Sequence, residues 1–289
     1  MSPPATVLKH FGVRVLTSLG GRLNVHWLVE RRNQQLVLRR WSQPPDEIAY
    51  EVRLVESLAT LGWPVAPVVE GPLEHDESWW SLALFLVGEP RVDKNSTAEQ
   101  RERGWLLATF HADLAQLDDV PQRGKWRRCE VVLDDPTLDQ LLNEHERMRG
   151  EEAYILRWHL HRAREQVAEH HLHNRAGMII HGDWTTWNLL FSNNQLSGIL
   201  DFELVHWDHR IGDFALSWRG TYDEVIRSYH DISPLEPEEW ALLTPMWWAF
   251  LVEAACHDIR QGIKGDGWII KQLLRRSPLM GMNRSAFRW

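Results

Sequence analysis

Three polar side chains that carry oxygen atoms lie beside two short apolar runs in the second half of the chain. Asp183 and Asn188 belong to the stretch HGDWTTWNLLF, and Asp201 follows the run SGIL. If the two runs pair as a β-hairpin, Asn188 and Asp201 meet in one cleft and offer the hard oxygen ligands that Mg²⁺ prefers. Asp183 precedes the first run, so it can stand apart from the metal and orient the proton of an acceptor hydroxyl. The pattern predicts metal-assisted phosphoryl transfer.

Each of these residues alone is more often a turn residue, because Asp and Asn are common at strand ends. Together they follow the order Asp-x-x-x-x-Asn and then Asp-Phe, which is the order of kinase catalytic loops and metal-binding segments. A zinc hydrolase and a serine hydrolase are not indicated, since the sequence has neither an H-E-x-x-H zinc motif nor a G-x-S-x-G nucleophile elbow. His181 is expected to be a buried residue that hydrogen-bonds this loop.

The first part of the chain, residues 11–85, shows strands interrupted by one helix. The runs VRVLTSL, NVHWLVE and QLVLRRW predict strands, and the turns between them contain Gly20-Gly21 and RRNQQ. A helix is expected after Pro-Pro, with Asp46 as its N-cap. SLALFLVGEP then predicts a buried strand that ends at Gly88, which favours a boundary between two lobes, residues 1–88 and 89–289.

Residues 89–289 are mainly helical in pattern. Ser96 and Glu99 form a possible capping box at the start of the first helix. Further helices are expected at about 137–149, 151–174, 211–230 and 237–261. Residues 178–202 are the exception, because MIIH, NLLF and SGILDF predict short strands. The candidate chemistry therefore lies on strand ends and loops within a helical lobe, where binding and catalytic residues are often found.

The chain resembles the aminoglycoside phosphotransferase and choline kinase-like family, which has the protein kinase-like fold. LTSLGGRLNVHWLVE is similar to the first hairpin of the family, LVLRRW to the strand of the phosphate-contacting base, and AYEVRLVESL to the helix whose Glu pairs with that base. DHRIGDFALSW is similar to the segment after the metal Asp, with Asp213 as a stabilising carboxylate. Over residues 11–219 the resemblance implies an α+β fold, with a small antiparallel-sheet N-lobe containing one helix and a larger, mainly helical C-lobe.

The resemblance also implies roles for individual residues. Asp183 is expected to be the catalytic residue, and Asn188 and Asp201 are expected to hold Mg²⁺. The residues expected to bind the nucleotide, ATP or GTP, are Gly20, Gly21, Asn24, Arg39, Glu51 and Phe85.

One position departs from the family pattern, because the base of the third strand is normally Lys and here is Arg39. Val37 precedes it by two residues on the same strand face. Arg is an always-charged phosphate clamp, but it is not interchangeable with Lys. Arg39 is expected to pair with Glu51, with Glu47 and Glu56 as competing partners. A solvent-facing Arg39 would instead favour a pseudokinase.

The composition is that of a globular protein, with 289 residues, 44% hydrophobic and 25% charged. No apolar run is long enough to span a membrane, and the N-terminus lacks the features of a secretory signal. Cys129 and Cys256 fit no disulfide framework or metal spacing, so a cytoplasmic protein is expected. The net charge of −8 argues against nucleic-acid binding.

The excess negative charge lies in residues 201–260, which contain 12 acidic and four basic side chains. This segment is either a solvated surface or a site that attracts a cationic acceptor. Side chains that could stack on a ring or pair with an amine, although each is more often a packing or surface residue, are Trp207, Trp247, Trp248, Glu203, Asp208, Glu253 and Asp258.

The resemblance implies a nucleoside triphosphate as donor and a small hydroxylated molecule as acceptor. Family acceptors include aminoglycosides, choline, ethanolamine and homoserine. Three hypotheses stay open: a kinase of an amine-bearing aminoglycoside or amino alcohol, a kinase of an uncharged or zwitterionic metabolite of the homoserine type, and a nucleotide-binding pseudokinase with a regulatory role.

Overall fold

The computed structural model describes residues 2–21, 24–91, 96–117, 120, 123, 129–172, 175–265, 267–275 and 277–281. Over these residues the β-strands are β1 (Arg14–Gly20), β2 (Val25–Arg31), β3 (Gln34–Trp41), β4 (Val68–His75), β5 (Ser78–Leu84), β6 (Glu89–Pro90), β7 (Met178–Ile180), β8 (Leu189–Ser192), β9 (Gln195–Ile199) and β10 (His206–Asp208). The α-helices are α1 (Ala5–Phe11), α2 (Pro45–Thr60), α3 (Thr97–Leu114), α4 (Cys129–Leu133), α5 (Pro136–Glu146), α6 (Gly150–Glu169), α7 (Phe214–Trp218), α8 (Asp223–Ile232), α9 (Pro237–Arg260) and α10 (Trp268–Arg275).

The chain divides into two compact units, each assembled from separate segments. The segments of unit 1 are Met1–Lys94, Gln116–Arg123 and Thr185–Glu203, and those of unit 2 are Asn95–Ala115, Gly124–Trp184 and Leu204–Trp289. Unit 1 therefore includes the segment Thr185–Glu203, which lies far beyond the predicted boundary at residue 88. Asn188 and Asp201 belong to unit 1, whereas Asp183 belongs to unit 2.

Unit 1 is built on an antiparallel sheet with the strand order β1-β2-β3-β5-β4. Neighbouring residues of a strand point to opposite faces, and one face of this sheet packs against α1. The buried side chains of that core are Val7, Phe11, Trp27, Val29, Leu36, Leu38, Trp80 and Leu82. Because Leu36 and Leu38 point into this core, Val37 and Arg39 point to the other face, as predicted.

Helix α2 begins differently from the prediction. Its N-cap is Pro44, with no side-chain cap, and the prediction that Asp46 is the N-cap is wrong. Asp46 instead lies in the first turn, where the positive end of the helix dipole favours an acidic side chain. The helix buries Ile48, Glu51 and Leu58, which recur at helical spacing. A carboxylate is thus carried on the inward face of this helix.

Strand β4 was not predicted, because Gly71 and Pro72 interrupt its sequence VVEGPLEH. Proline cannot donate to a sheet and weakens the strand pattern. The structure accommodates both residues by shifting the register of β4 against β5 between Val68 and Leu73.

A second, three-stranded sheet of unit 1 has the order β6-β8-β9. Strands β8 and β9 form the predicted antiparallel hairpin, with Leu189 opposite Ile199. The turn between them consists of Asn193 and Asn194, both at positive φ (50° and 62°), which Asn adopts more easily than most residues.

Unit 2 is mainly helical and also contains the antiparallel pair of β7 and β10. The predicted capping box is confirmed, since Ser96 and Glu99 bond each other's backbone at the start of α3. The predicted single helix over 211–230 is wrong. The chain leaves α7 through Arg219 and Gly220, both at positive φ (50° and 68°), and only then begins α8. No helix among the described residues has the length and apolarity needed to cross a membrane.

Candidate active site

Asn188 and Asp201 lie at the same end of the β8–β9 hairpin. The N–H of Leu200 donates to the carbonyl of Asn188 at 2.9 Å, so the residue before Asp201 is hydrogen-bonded to residue 188 across the pair. The N–H of Asn188 donates to the carbonyl of Thr185 at 3.2 Å within a short 3₁₀ turn. Asn188 is buried and Asp201 is exposed. The hairpin therefore places the two predicted metal ligands at one end of the same strand pair, as their spacing indicated.

Asp201 has a backbone conformation that the sequence did not reveal. Its φ is 64°, in the left-handed region that residues other than Gly seldom adopt. The residue stands where the chain leaves β9 and enters the turn Phe202–Leu204. Backbone outliers of this kind are concentrated at functional sites, where surrounding structure holds a side chain in a required direction.

The predicted pair of Arg39 and Glu51 is present. Nη1 and Nη2 of Arg39 donate to the two carboxylate oxygens of Glu51, the second at 3.2 Å. The side chains are only 14% and 3% exposed. The guanidinium also lies over the ring of Trp41, 3.5 Å from its centre. The competing partners are excluded, because Glu47 accepts from Arg123 and Glu56 is exposed.

Glu203 takes a position that the sequence did not predict. The carboxylate of this buried residue accepts from the side-chain amide of Asn24, and its Oε1 lies 3.5 Å from Nη2 of Arg39. Burial raises the pKa of this carboxyl, as does the nearby carboxylate of Asp201, whereas Arg39 and Asn24 lower it. The interpretation of Glu203 as a partner for an amine of the acceptor is therefore wrong, since the side chain is turned toward Arg39.

Gly20, the last residue of β1, and Gly21 begin the connection to β2, which we call the glycine turn; their φ angles are 81° and 128°, and residues 22 and 23 lie outside the described residues. A Cβ on Gly21 would overlap the backbone oxygen of Asn24, so only glycine fits there. The fully buried side chain of Asn24 accepts from the N–H of Ser42 at 2.8 Å. Asn24 thus ties the turn to the sheet. Phe85 directly follows β5 and is half-buried. The nucleotide contacts of these residues stay predictions.

In unit 2, Asp183 belongs to a loop that Asp213 holds in place. The two carboxylate oxygens of Asp213 accept the N–H groups of His181 at 2.8 Å and Gly182 at 2.6 Å. One of them also bonds Nε2 of His111 at 2.8 Å. Nδ1 of the fully buried His181 accepts the N–H of Asp183 at 3.2 Å. The predictions that His181 hydrogen-bonds the loop and that Asp213 stabilises it are confirmed.

Electrostatics within unit 2 favour charged carboxylates around this loop. Burial alone would raise the pKa of Asp213, but the hydrogen bond and charge of His111 and the backbone N–H of His181 keep it below its usual range. Arg219, the residue that ends α7, is close enough for its charge to interact with that of Asp183; burial lowers the pKa of Arg219 and this interaction opposes the lowering. Arg219 was not predicted, because its place depends on the break between α7 and α8.

The aromatic and acidic candidates for acceptor binding are mostly internal. Trp247 and Trp248 are buried in α9, where Trp247 stacks on Phe250 and Trp248 contacts Trp158 edge to face. Asp208 is buried and accepts the N–H of His209 at 2.7 Å. The remaining candidates are half-buried or exposed, namely Trp207, Glu253 and Asp258. Of the 12 acidic residues of 201–260, Glu203, Asp208, Asp213 and Glu239 are buried, and the other eight are half-buried or exposed.

Comparisons with known proteins agree with this architecture. A profile of the phosphotransferase enzyme family matches residues 16–239. No curated protein sequence gives a significant match.

Solved structures give the same result for the fold. The aminoglycoside phosphotransferase from Alicyclobacillus acidocaldarius subsp. acidocaldarius DSM 446 is 15% identical, with 99% of this chain and 95% of that chain covered and a TM-score of 0.67. A thermostable mutant of aminoglycoside phosphotransferase APH(4)-Ia, in ternary complex with ADP and hygromycin B, is 14% identical over 89% of this chain and 91% of that chain, with a TM-score of 0.65. Macrolide 2'-phosphotransferase MphH from Brachybacterium faecium is 15% identical over 94% of this chain and 98% of that chain, with a TM-score of 0.61. The predicted α+β, kinase-like fold is confirmed.

Proposed function

Because the chain belongs to the phosphotransferase enzyme family and is a small-molecule kinase, we propose that it transfers the γ-phosphate of ATP to a hydroxyl of an amine-bearing acceptor. The observation that carries this proposal is the β8–β9 hairpin, which puts Asn188 and Asp201 at one end in the same unit as the Arg39–Glu51 pair. Asn and Asp are the residue types that hold the metal ions of a bound nucleotide in kinases, and Arg39 stands where kinases have a Lys that pairs with a Glu.

Asn188 and Asp201 fit a Mg²⁺ ion. Asp201 offers carboxylate oxygens and Asn188 offers the oxygen of its carboxamide, and Asp201 is exposed. Mg²⁺ takes few protein ligands and completes its octahedron with water and phosphate oxygens, so two side chains from one hairpin end are sufficient. When bound, the ion neutralises the negative charge of the phosphates.

Arg39 is proposed to contact the phosphates of ATP from the face of the sheet opposite its core. Glu51 and Trp41 hold the guanidinium, so little conformational entropy remains to be lost when a phosphate binds. The turn that contains Gly20 and Gly21 is proposed to cover these phosphates with backbone N–H groups, which requires the close approach that glycine permits. ATP as donor is supported by relatives solved with ADP or AMP-PNP.

Asp183 is proposed to orient the acceptor hydroxyl and to receive its proton as the phosphoryl group is transferred. The loop that carries it is fixed by Asp213 and His181 through backbone N–H groups. The adjacent Trp184 is fully buried, stacks on Phe110 at 5.0 Å and donates to the carbonyl of Arg103 at 3.1 Å. Anchors on both sides of Asp183 keep its carboxylate in one position, which phosphoryl transfer requires because catalysis depends on alignment.

The proposed acceptor is a small hydroxylated molecule that bears an amine. Related structures carry names of aminoglycoside and macrolide phosphotransferases, and one of them is a spectinomycin phosphotransferase in complex with ADP and spectinomycin. Exposed acids of unit 2, including Asp231 and Glu253, leave its surface suited to cationic molecules.

A coupled ADP-release assay tests the proposal. Purified protein is given Mg–ATP and a panel of aminoglycosides, spectinomycin, macrolides, amino alcohols and homoserine, with mass spectrometry of each acceptor. Addition of one phosphoryl group to an amine-bearing acceptor is the expected result. Phosphorylation of homoserine alone would contradict the acceptor class, because homoserine carries a carboxylate beside its amine and has no net positive charge. Binding of Mg–ATP without phosphorylation of any acceptor would favour the pseudokinase hypothesis.

A further inference from the structure

Arg39 has more hydrogen-bond donors than Glu51 can accept from. A guanidinium presents five N–H groups in a rigid plane, whereas the ammonium of Lys is a compact, rotatable group. Glu51 takes one edge of this plane through Nη1 and Nη2, and Trp41 covers one of its faces. A second edge, at Nη2, faces Oε1 of Glu203 at 3.5 Å. Two carboxylates and one ring therefore set the direction of the guanidinium.

Glu203 is itself held by a buried amide. The side chain of Asn24 donates to Oε1 of Glu203, and its own oxygen accepts the N–H of Ser42 at 2.8 Å. Rotation of Asn24 would break both bonds, and each would leave a buried polar group without its partner, which is costly. The backbone oxygen of Asn24 lies against Gly21, so the bond of Asn24 to Glu203 links the glycine turn to Arg39.

The backbone of Glu203 is fixed as well. Nη1 of Arg123 donates to the carbonyl of Glu203 at 2.8 Å, while Nε of the same arginine donates to the carboxylate of Glu47 on α2. Arg123 is itself buried. Glu203 is thus tied to α2 through its backbone and to the sheet through its side chain, although it stands only two residues after Asp201.

We infer that Glu203 is a positioning residue for the nucleotide: it orients the Arg39 guanidinium and couples it, through Asn24, to the glycine turn. The inference rests on the proposed function, because it requires Arg39 to contact the phosphates of ATP. It also gives a physical reason for Arg at this place, since the planar guanidinium holds its donors in a fixed direction toward both carboxylates, whereas an ammonium is a rotatable point charge.

The test is a double-mutant cycle with two readouts, KM for ATP and calorimetric affinity for Mg–AMP-PNP. Glu203→Gln removes the negative charge that Arg39 faces but keeps one acceptor oxygen for Asn24 and Arg39, which both contact Oε1 of Glu203. We expect KM for ATP to rise about tenfold, with a smaller change in kcat, because the guanidinium loses a charged partner that sets its direction. In an Arg39→Lys background the same substitution should change KM by less than about twofold.

Glu239→Gln is the matched control. Glu239 is also a buried carboxylate that accepts two bonds from an arginine, Arg210, at 2.7 and 2.5 Å, but it belongs to unit 2. The Glu239→Gln substitution should lower the free energy of unfolding without raising KM for ATP. If Glu203→Gln fails to fold, Asn24→Ser interrupts the same link from its other end and takes its place in the cycle.

The outcomes separate the inference from the proposed function. Absence of Mg–AMP-PNP binding and of turnover in the unmodified protein would overturn the proposed function. Normal turnover with an unchanged KM in Glu203→Gln would overturn the inference alone. A rise in KM that is equally large with Arg39 intact and in the Arg39→Lys background would also overturn it, because Glu203 would then act without the guanidinium.

Discussion

Asn188, just before β8, and Asp201, just after β9, lie at the same end of one β-hairpin, since the Leu200 N–H donates to the Asn188 carbonyl at 2.9 Å. This arrangement connects the sequence motif to a possible metal site through ordinary antiparallel pairing. It requires no contact between distant helices.

The left-handed backbone of Asp201 should lower the stability of the protein, because a residue with a Cβ is strained in this conformation. Its φ of 64° is strained for a residue with a Cβ, so Asp201→Gly should raise the free energy of unfolding by roughly 0.5–1 kcal/mol relative to Asp201→Ala. Urea unfolding of the two variants measures this difference. Equal stability of both variants would show that the left-handed backbone carries no strain.

Asp183→Asn should lower kcat by about 10²–10⁴-fold, because the amide cannot receive the proton of the acceptor. Affinity for Mg–AMP-PNP should stay close to that of the unmodified protein. Single-turnover kinetics and calorimetry measure the two quantities separately. A variant that retains its turnover would remove Asp183 from the mechanism.

Asp213→Asn should destabilise the protein by about 3–5 kcal/mol, the usual cost of breaking a buried charged pair. The carboxylate serves the N–H groups of His181 and Gly182 and bonds His111, and an amide has only one acceptor oxygen for these partners. Asp231→Asn, an exposed acid of the same unit, should change stability by less than about 0.5 kcal/mol. Similar denaturation midpoints for the two variants would contradict the role of Asp213.

His159 should make stability depend on pH. It is fully buried, with Nδ1 donating to the carbonyl of Ile155 at 2.7 Å and Nε2 accepting from Ser277 at 2.9 Å, and burial lowers its pKa from 6.5 to about 4. Between these values the unfolded chain binds more protons, so stability is lost as pH falls from 6.5 toward 4, by up to about 3 kcal/mol.

Urea unfolding at several pH values checks this prediction. His159→Gln should reduce the loss of stability over that window, whereas His257→Gln, at an exposed histidine of the same unit, should leave it unchanged. A pH dependence that is the same in His159→Gln and in the unmodified protein would contradict the assignment.

Sequence patterns predicted the parts of the fold that depend on local periodicity. Strand alternation correctly placed Arg39 on the face opposite Leu36 and Leu38, and the capping box at Ser96 marked the start of α3. The pairing of Arg39 with Glu51 followed from the resemblance of their strand and helix to those of the family. Strand β4 and the break after α7 were missed because Pro72, Arg219 and Gly220 depart from regular patterns.

Other features could not be predicted because they depend on contacts between distant parts of the chain. Asn24 and Glu203 are separated by 179 residues, and nothing near either residue indicates their bond. The sequence shows the excess of acidic residues in 201–260, but it could not show that Glu203, Asp208 and Asp213 are buried. Burial of Trp247 and Trp248 likewise depends on the packing of α9.

Calorimetric titration with AMP-PNP, with Mg²⁺ and with EDTA, tests the central claim most directly. The unmodified protein should bind the nucleotide at least about tenfold more tightly with Mg²⁺, and Asp201→Gly should lose this difference while remaining folded. Tight, Mg²⁺-dependent binding by Asp201→Gly would contradict the metal site at the end of the β8–β9 hairpin.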